Sequence, residues 1–323
     1  MIAKYRGEIF QKPAVIVLSA MICTALWGSA GPFIKLAYQF LAIPINNNLD
    51  KSLLAGIRFT LSGIVVLVLS LLRRRTIQSP PRRLLPQLFM LGLTQTTLQY
   101  TFSFIGFSYT TGTKGTLFSS ISCFFVVLLS PLLYKNVHIG RNKVLGCLFG
   151  LVGLLTVTIG PDLSQLFIFT PTGEGFLAIS SFCFAISFFF SKSITEEYDP
   201  ILTGGWQMLI GGSLQMVVSF LLGGRLTFNA KGLLVVGYLI VLSCLAVTIW
   251  SILLKYNDPS QIAVFHLLTP IFGTLFSSVV LHEKTFNVQN LAALGMVCFG
   301  IFLVNFSKSK ICLLYTSPSP RDA

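Results

Sequence analysis

Polar side chains inside long apolar stretches are the residues of this sequence best placed to do chemistry. Gln95 and Gln99 are four residues apart, so an α-helix would put both amides on one face. An amide is costly in hydrocarbon unless it finds partners or water. We therefore expect a polar stripe that lines a cavity and binds a carboxylate, amine or carbonyl of a small solute. The alternative is that the two amides hydrogen-bond across helices and hold them together.

Three further polar residues extend this candidate binding site. Ser103 continues the stretch that begins at Gln95, and His266 lies four residues before Pro270. An internal repeat places His266 opposite Ser119. A histidine in the middle of a membrane can take up a proton and couple the movement of a solute to a proton gradient. The alternative is a neutral histidine that is satisfied by a neighbouring helix.

Two tryptophans fall well inside apolar segments rather than at their ends. Trp27 and Trp250 are predicted to form a stacking wall or gate of the same substrate-binding site, and the repeat places Trp250 opposite Ser103. Interfacial tryptophans would lie nearer the segment ends. Plain packing against neighbouring helices is an equally open interpretation.

Four charged residues are predicted to lie toward one face of the membrane, where they would form a gate or vestibule: Lys35, Arg58, Lys114 and Glu283. Charges near helix ends usually extend to the membrane interface, and this is the expectation for Lys35 and Arg58. The alternative is a vestibule that attracts anions. A salt bridge between Glu283 and one of the three cations would then close a gate.

The elements that must position these residues are ten apolar segments long enough to cross a bilayer as helices. The sequence of 323 residues is 54% hydrophobic and only 10% charged, and its segments do not alternate in polarity as the strands of a membrane barrel would. The fold class expected is an all-α membrane protein with ten transmembrane helices. The predicted spans are 14–38, 53–72, 84–107, 112–134, 143–160, 174–192, 202–222, 231–254, 260–281 and 288–306.

The basic charge of the chain indicates its topology. The formal net charge is +13, and most lysines and arginines fall in segments that share one side if the amino terminus is cytoplasmic, above all in Arg73–Arg83. Cytoplasmic loops are enriched in lysine and arginine. We therefore expect a multi-pass protein of the inner (plasma) membrane with both termini in the cytoplasm. The basic surface faces lipid headgroups, and nucleic acid is not an expected partner.

Two similar halves are indicated by the spacing of the spans. Tyr109 aligns with Tyr256, Phe125 with Phe272, and Gly153 with Gly300 at a constant separation. Because five is odd, a second set of five spans enters the membrane with opposite orientation. The predicted domains are residues 14–160 and 174–306, related as two inverted five-helix repeats. Such repeats are a recurring architecture of carriers that alternate access to a central site.

Several function classes are disfavoured. The sequence has no HExxH, GxSxG or Walker A motif, and its seven cysteines form no CxxC pair. We expect no enzyme, no metal, no cofactor and no ATP motor, so that gradients or passive diffusion would drive any solute. A non-transporting scaffold or assembly subunit stays open, as does the choice between a monomer and a homodimer.

The last twelve residues, Cys312–Ala323, are set apart from the fold. Their sequence, CLLYTSPSPRDA, resembles an in-frame translation of a transposase-type sequencing adapter. We expect this segment to be an artefact and exclude it from reasoning about the fold.

A resemblance to a known family rests on short motifs in a fixed order. They are Ala25–Ser29 with Pro32 and Lys35, Ala55–Phe59, Lys114–Gly115 with Pro131, the glycines Gly146, Gly150 and Gly153, Gly205–Gln207, and Pro270 with Leu281–Lys284. In this pattern the chain, over residues 14–306, resembles the drug/metabolite transporter superfamily, specifically its ten-span EamA-type members.

The resemblance implies a transporter of small polar metabolites such as amino acids, with a cavity lined by the first, third, fourth, sixth, eighth and ninth spans. Members often carry an acidic residue after the fourth span as well as after the ninth. Here Glu283 fills the second position, whereas Tyr134–Val137 at the first contains no acid. A symmetric role for two carboxylates is therefore not expected.

Overall fold

The computed structural model describes residues 9–44, 46–74, 79–109, 118–119, 121–133, 140–158, 170–280 and 288–306. These residues are helical apart from short connections, and no strand occurs among them. A helix satisfies its own backbone hydrogen bonds, which is what an apolar segment needs in lipid.

The α-helices are numbered here in chain order. They are α1 Pro13–Phe40, α2 Asn48–Arg74, α3 Leu85–Gly92, α4 Gln99–Ser108, α5 Ser122–Leu133, α6 Arg141–Thr158, α7 Phe176–Glu197, α8 Pro200–Leu221, α9 Ala230–Tyr256, α10 Pro259–Ala263, α11 Leu268–Val280 and α12 Val288–Phe306.

Within the described residues, six helical stretches are long and apolar enough to cross a membrane. They are Pro13–Phe40, Asn48–Arg73, Pro171–Glu197, Pro200–Leu221, Ala230–Tyr256 and Pro259–Val280. Shorter apolar helices occur at Ser122–Leu132 and Gly295–Val304. The chain is therefore a helical membrane protein, and the full count of ten spans stays a prediction.

Two helical rods change their pitch near the middle. Leu93–Leu98 forms a π-helical segment between α3 and α4, and Val264–Leu267 forms a 3₁₀ turn between α10 and α11. Pro270 lacks the N–H that would bond to the carbonyl of His266, which favours the tighter turn there. The π segment has i→i+5 backbone hydrogen bonds in place of i→i+4, and such bulges are frequent at functional sites.

Glycines allow two pairs of helices to approach closely. A Cβ on Gly56 or Gly63 of α2 would come within 2.5 Å of backbone atoms of α8, and one on Gly212 of α8 would do the same to α2. Likewise, a Cβ on Gly146 of α6 would lie 2.5 Å from the carbonyl oxygen of Gly300 on α12. These contacts put backbone against backbone, as small residues do between membrane helices.

The helix contacts repeat between the two halves of the chain. If α1 is exchanged with α7, α2 with α8, α3–α4 with α9, α5 with α10–α11 and α6 with α12, the most extensive contacts map onto one another. The packing of α7 against α8 and α9 has no counterpart of similar extent at α1. The pairs α2–α8 and α6–α12 map onto themselves, α1–α9 maps onto the packing of α7 with α4, and α1–α11 maps onto α7–α5. Residues from both halves therefore meet in the centre of the bundle.

Candidate functional site

A cavity of about 330 Å³ lies in the centre of the bundle. Its walls come from both halves of the chain. The described residues that line it are Trp27, Ala30, Gly31, Ile34, Arg58, Phe59, Gln95, Thr96, Gln99, Tyr100, Ser103, Phe107, Ser119, Phe184, Gln207, Val247, His266 and Thr269. This volume falls within the range of small-molecule sites.

Most of the predicted binding residues meet in this cavity. Six of the seven line it: Trp27, Gln95, Gln99, Ser103, Ser119 and His266. The sequence predicted them separately, on segments far apart along the chain.

Gln95 and Gln99 face the cavity with a geometry that differs from the predicted one. Gln95 lies in the π segment and Gln99 begins α4, so the simple i, i+4 relation of an α-helix is wrong here. No hydrogen bond joins either side-chain amide to another described residue, although the backbone carbonyl of Gln99 accepts one from Ser180 Oγ at 2.8 Å. In the described part of the chain, therefore, these two amides do not tie helices together.

Helix α7 holds two irregular parts of the cavity wall in place. Ser180 Oγ bonds to the backbone where α4 begins, and the neighbouring Ser181 Oγ donates to the carbonyls of Phe118 and Ser119 at 2.7 and 3.0 Å. These hydrogen bonds join α7 to the start of α4 and to the backbone of residues 118 and 119. They fix the position of Ser119 against the cavity.

His266 lies among aromatic rings. Its ring centroid is 4.8 Å from that of Phe184 and 5.7 Å from that of Trp27. No hydrogen bond links its side chain to another described residue. The alternative of a histidine satisfied by a neighbouring helix therefore finds no hydrogen-bond partner among the described residues.

An aromatic cluster closes one end of the cavity. Trp27 contacts Trp250 with ring centroids 4.8 Å apart, and Trp250 contacts Phe188 at 5.7 Å. Trp250 is only 1% exposed and does not line the cavity. It was predicted to contact substrate, but the structure places it behind Trp27, because α9 packs that face against α7 and α1. We call this end, at Trp250 and Phe188, the closed end.

The opposite end reaches the surface. Gly31 and Phe107 both line the cavity and are exposed, and a Cβ on Gly31 would meet no atom within 4 Å. We call this the open end.

Arg58 departs from its expected position. It was expected to reach the membrane interface, but it is 3% exposed and lines the cavity. Its Nε donates to Ser243 Oγ on α9 at 2.8 Å. The prediction of snorkelling is wrong because α2 is packed against α8 and α9, which turns this face of the helix inward.

Gln207 and Thr269 are site residues that the sequence reasoning missed. Gln207 on α8 is 2% exposed, and its Nε2 donates to Thr96 Oγ1 at 2.6 Å. Its Oε1 and the Thr269 hydroxyl have no hydrogen-bond partner among the described residues. The signal was present, since Gly205–Gln207 corresponds to Gly56–Arg58 in the repeat. Helices α2 and α8 thus add to the six spans that the resemblance implied.

Of the remaining three vestibule residues, Lys35 lies in the described part of the chain. Lys35 is exposed on α1 and does not line the cavity. Lys114 and Glu283 lie outside the described residues, as does the segment Cys312–Ala323. A gate formed by these charges stays a prediction.

The described lining of the cavity combines hydrogen-bonding and aromatic side chains. It contains one cation, several amides and hydroxyls, and an aromatic wall, with no carboxylate. No group of three or more His, Cys, Asp or Glu residues that would suit a metal ion occurs in the part of the chain that the structure describes. These groups donate and accept hydrogen bonds in a low-dielectric site.

Comparisons with known proteins agree with this architecture. The chain is 24% identical over 299 residues to an uncharacterized transporter of Archaeoglobus fulgidus, which covers 90% of this chain and 97% of the relative. It is 24% identical to the uncharacterized inner membrane transporter YedA of Escherichia coli K12, covering 88% of each protein. It is 23% identical to the uncharacterized transporter YoaV of Bacillus subtilis, covering 91% of this chain and 98% of the relative.

A solved crystal structure has the same fold. It superposes with a TM-score of 0.73 over 90% of this chain and 96% of its own, at 18% identity. The sequence model of the EamA-like transporter family matches residues 14–159 and 171–306. The resemblance to EamA-type members of the drug/metabolite transporter superfamily is thereby confirmed, and the family is one of transporters rather than of enzymes. This chain is a multi-pass membrane protein that belongs to the EamA-like transporter family.

Proposed function

We propose that this protein is a secondary transporter that moves small polar metabolites, amino acids and related compounds first, by alternating access. The observation that carries the proposal is the central cavity, where three glutamines, several hydroxyls, Arg58 and His266 line one volume among aromatic side chains. A scaffold has no need for unpaired amides and a histidine around an empty volume in the middle of a bilayer, where polar groups are costly.

The polar lining supports a role in solute binding. Neither Gln95 nor Gln99 bonds its side chain to another described residue, so both amides are free to donate to and accept from a solute. Ser103, Ser119 and His266 add further hydrogen-bonding groups around the same volume. The amino and carboxyl groups of an amino acid need both donors and acceptors, which this set supplies.

The repeated helix contacts support an inverted-repeat mechanism. Exchange of the two proposed five-helix repeats, residues 14–160 and 174–306, preserves the most extensive pairs of contacting helices. In each half, equivalent positions face the cavity: Arg58 and Gln207, and Ser119 and His266. Halves of opposite orientation can exchange their arrangements, so that the open end closes while the closed end opens.

Polar contacts beyond the closed end are candidates for a gate. Lys143 Nζ on α6 donates to Oδ2 of Asp258, the N-cap of α10, at 3.1 Å and to Oγ of Ser260 in α10 at 2.7 Å. Lys192 Nζ on α7 donates to the carbonyl of Lys255 at 2.8 Å. These contacts join several helices, and we propose that they break when this end opens.

Two modes of driving transport fit the site. In the first mode, His266 takes up a proton and couples uptake of the solute to a proton gradient. The other titratable or charged groups among the described lining residues are Arg58 and Tyr100. Uncoupled movement down a concentration gradient is the second mode.

We further propose the inner (plasma) membrane as the location, both termini in the cytoplasm, and a monomer or homodimer.

The test is uptake by the purified full chain in proteoliposomes. A pooled set of labelled amino acids and small metabolites is offered with and without a pH gradient, and protein-free liposomes are the control. We expect saturable uptake of one class of compound, with the response to the gradient deciding between the two modes. Absence of saturable uptake, from protein shown to be folded, contradicts the proposal and favours a scaffold.

A further inference from the structure

Arg58 is the one charged side chain among the described residues that line the cavity. Its 3% exposure makes it one of the most deeply buried charged groups of the bundle. The lining residues that the structure describes include no aspartate or glutamate. The cavity therefore carries a fixed positive charge that its own described walls do not neutralise.

The surrounding contacts hold the guanidinium in one orientation. Arg58 Nε donates to Ser243 Oγ at 2.8 Å, and Ser243 Oγ in turn donates to the carbonyl of Leu239 at 2.8 Å. The guanidinium carbon lies 4.8 Å from the centre of the Phe59 ring. With Nε occupied, the two terminal nitrogens keep four N–H donors at the end of the side chain.

If Arg58 had a purely structural role, its side chain would make different contacts. A buried arginine that joins helices is normally paired with a carboxylate, because an unpaired buried charge is strongly unfavourable. Among the described residues, Arg58 makes no ion pair, and its one hydrogen bond goes to a neutral hydroxyl. The positive charge of Arg58 would therefore be neutralised by an anion that enters the cavity from outside the protein.

We propose that Arg58 is the anion-binding residue of the cavity and determines which solutes enter it. The cavity takes compounds with a carboxylate, zwitterions included, whose two oxygens pair with the terminal nitrogens of Arg58. Compounds of similar shape that lack the anionic group and carry net positive charge are excluded. This inference rests on the proposed function and adds the charge of the substrate to it.

Matched compounds that differ only in charge provide the test. Leucine and phenylalanine are each compared with their deaminated acid, which keeps the carboxylate, and with their amide, which does not. Binding to the full chain in detergent is measured from the rise in unfolding temperature, and uptake is measured in proteoliposomes. We expect at least one acid or zwitterion to bind, and its amide to bind weaker by about 30-fold or more, as removal of one partner of a buried charge pair does.

Variants assign this discrimination to Arg58. Arg58→Gln is expected to abolish the preference for the acid over the amide, and Arg58→Lys to retain part of it, because lysine keeps the charge without the planar pair of donors. Arg82→Gln, the same chemical change at an exposed residue outside the cavity, is expected to leave it unchanged. If Arg58→Gln fails to fold, the preference for the acid over the amide is measured instead in Arg58→Lys and in Ser243→Ala, which removes the hydrogen-bond partner of Nε.

Three outcomes overturn the inference. They are binding of the amides as tightly as the acids, retention of the preference in Arg58→Gln, and the absence of binding by every carboxylate tested. Failure of the proposed function is distinguishable, since carboxylates would then bind in an Arg58-dependent manner in detergent without saturable uptake in liposomes. Conversely, saturable uptake of an amide that exceeds its acid preserves transport and refutes the role of Arg58.

Discussion

Two buried glutamines on α8 provide a matched pair for testing the cavity. Gln207 and Gln215 are 2% and 1% exposed, each donates one hydrogen bond through Nε2, and each has an Oε1 without a partner among the described residues. They differ in what they face. Gln207 lines the central cavity, whereas Gln215 lines a separate crevice of about 110 Å³. We therefore compare Gln207→Leu with Gln215→Leu.

The two substitutions are expected to have similar effects on stability. Gln207 loses a hydrogen bond of 2.6 Å to Thr96, and Gln215 loses one of 3.1 Å to Ser52. Each loss costs about 1 kcal/mol, and removal of a buried acceptor without a partner returns about 1–3 kcal/mol. Leucine fills a comparable volume. The net change in the free energy of unfolding should therefore stay within about 2 kcal/mol for either variant.

Their effects on transport are expected to differ. If Gln207 Oε1 accepts a hydrogen bond from the solute, the loss of a charge-assisted bond costs about 1.5–3 kcal/mol. That corresponds to a rise in KM of about 10- to 150-fold, since each 1.4 kcal/mol is a factor of ten. Gln215→Leu removes no contact with a solute in the cavity, so its KM should change by less than about twofold.

The assay is initial-rate uptake in proteoliposomes, with the amount of inserted protein measured for each variant. Unfolding temperatures of the purified proteins report whether both variants keep their fold. An equal loss of uptake in the two variants would refute the reasoning, because it would assign the effect to packing of α8. An unchanged KM for Gln207→Leu in a stable protein would equally remove Gln207 from the binding site.

Three further predictions address the cavity lining, its titratable group and the packing around it. Replacement of both Gln95 and Gln99 by Leu should abolish transport with normal insertion, and uptake at the wild-type rate would contradict their role in binding. Replacement of His266 by Gln should remove any pH dependence of uptake, so a persisting pH profile argues against proton coupling. Gly146→Ala should lower stability by about 1–3 kcal/mol, because its Cβ would lie 2.5 Å from a carbonyl oxygen of α12. Gly295→Ala, whose Cβ meets no atom within 4 Å, should preserve or raise the unfolding temperature, and equal destabilisation of both would show that backbone contact is not the cause.

The sequence was most informative about the existence of helices. Long apolar stretches have one stable backbone arrangement in lipid, so the described helices fall within or close to the predicted spans. It was less informative about local pitch. The π segment at Leu93–Leu98 and the 3₁₀ turn at Val264–Leu267 depend on how neighbouring helices pack, and periodicity does not reveal them.

Cavity-lining residues could be predicted where a polar side chain interrupts hydrocarbon. Gln95, Gln99 and His266 stand out for this reason, and all three line the cavity. Arg58 was misplaced because its position near a span end suggested the interface, and Trp250 because a central aromatic does not reveal which face it occupies. Gln207 was overlooked although the repeat pairs it with Arg58.

By itself the sequence determined that the chain resides in a membrane, that it is helical and that it resembles a transporter family. These properties follow from the solvation of each segment separately, which composition and local order express. Only the tertiary structure decided which helix faces turn inward, since that depends on contacts between segments more than one hundred residues apart. The burial of Arg58 beside Ser243, the pairing of Gln207 with Thr96, and the position of Trp250 behind Trp27 are all results of that packing.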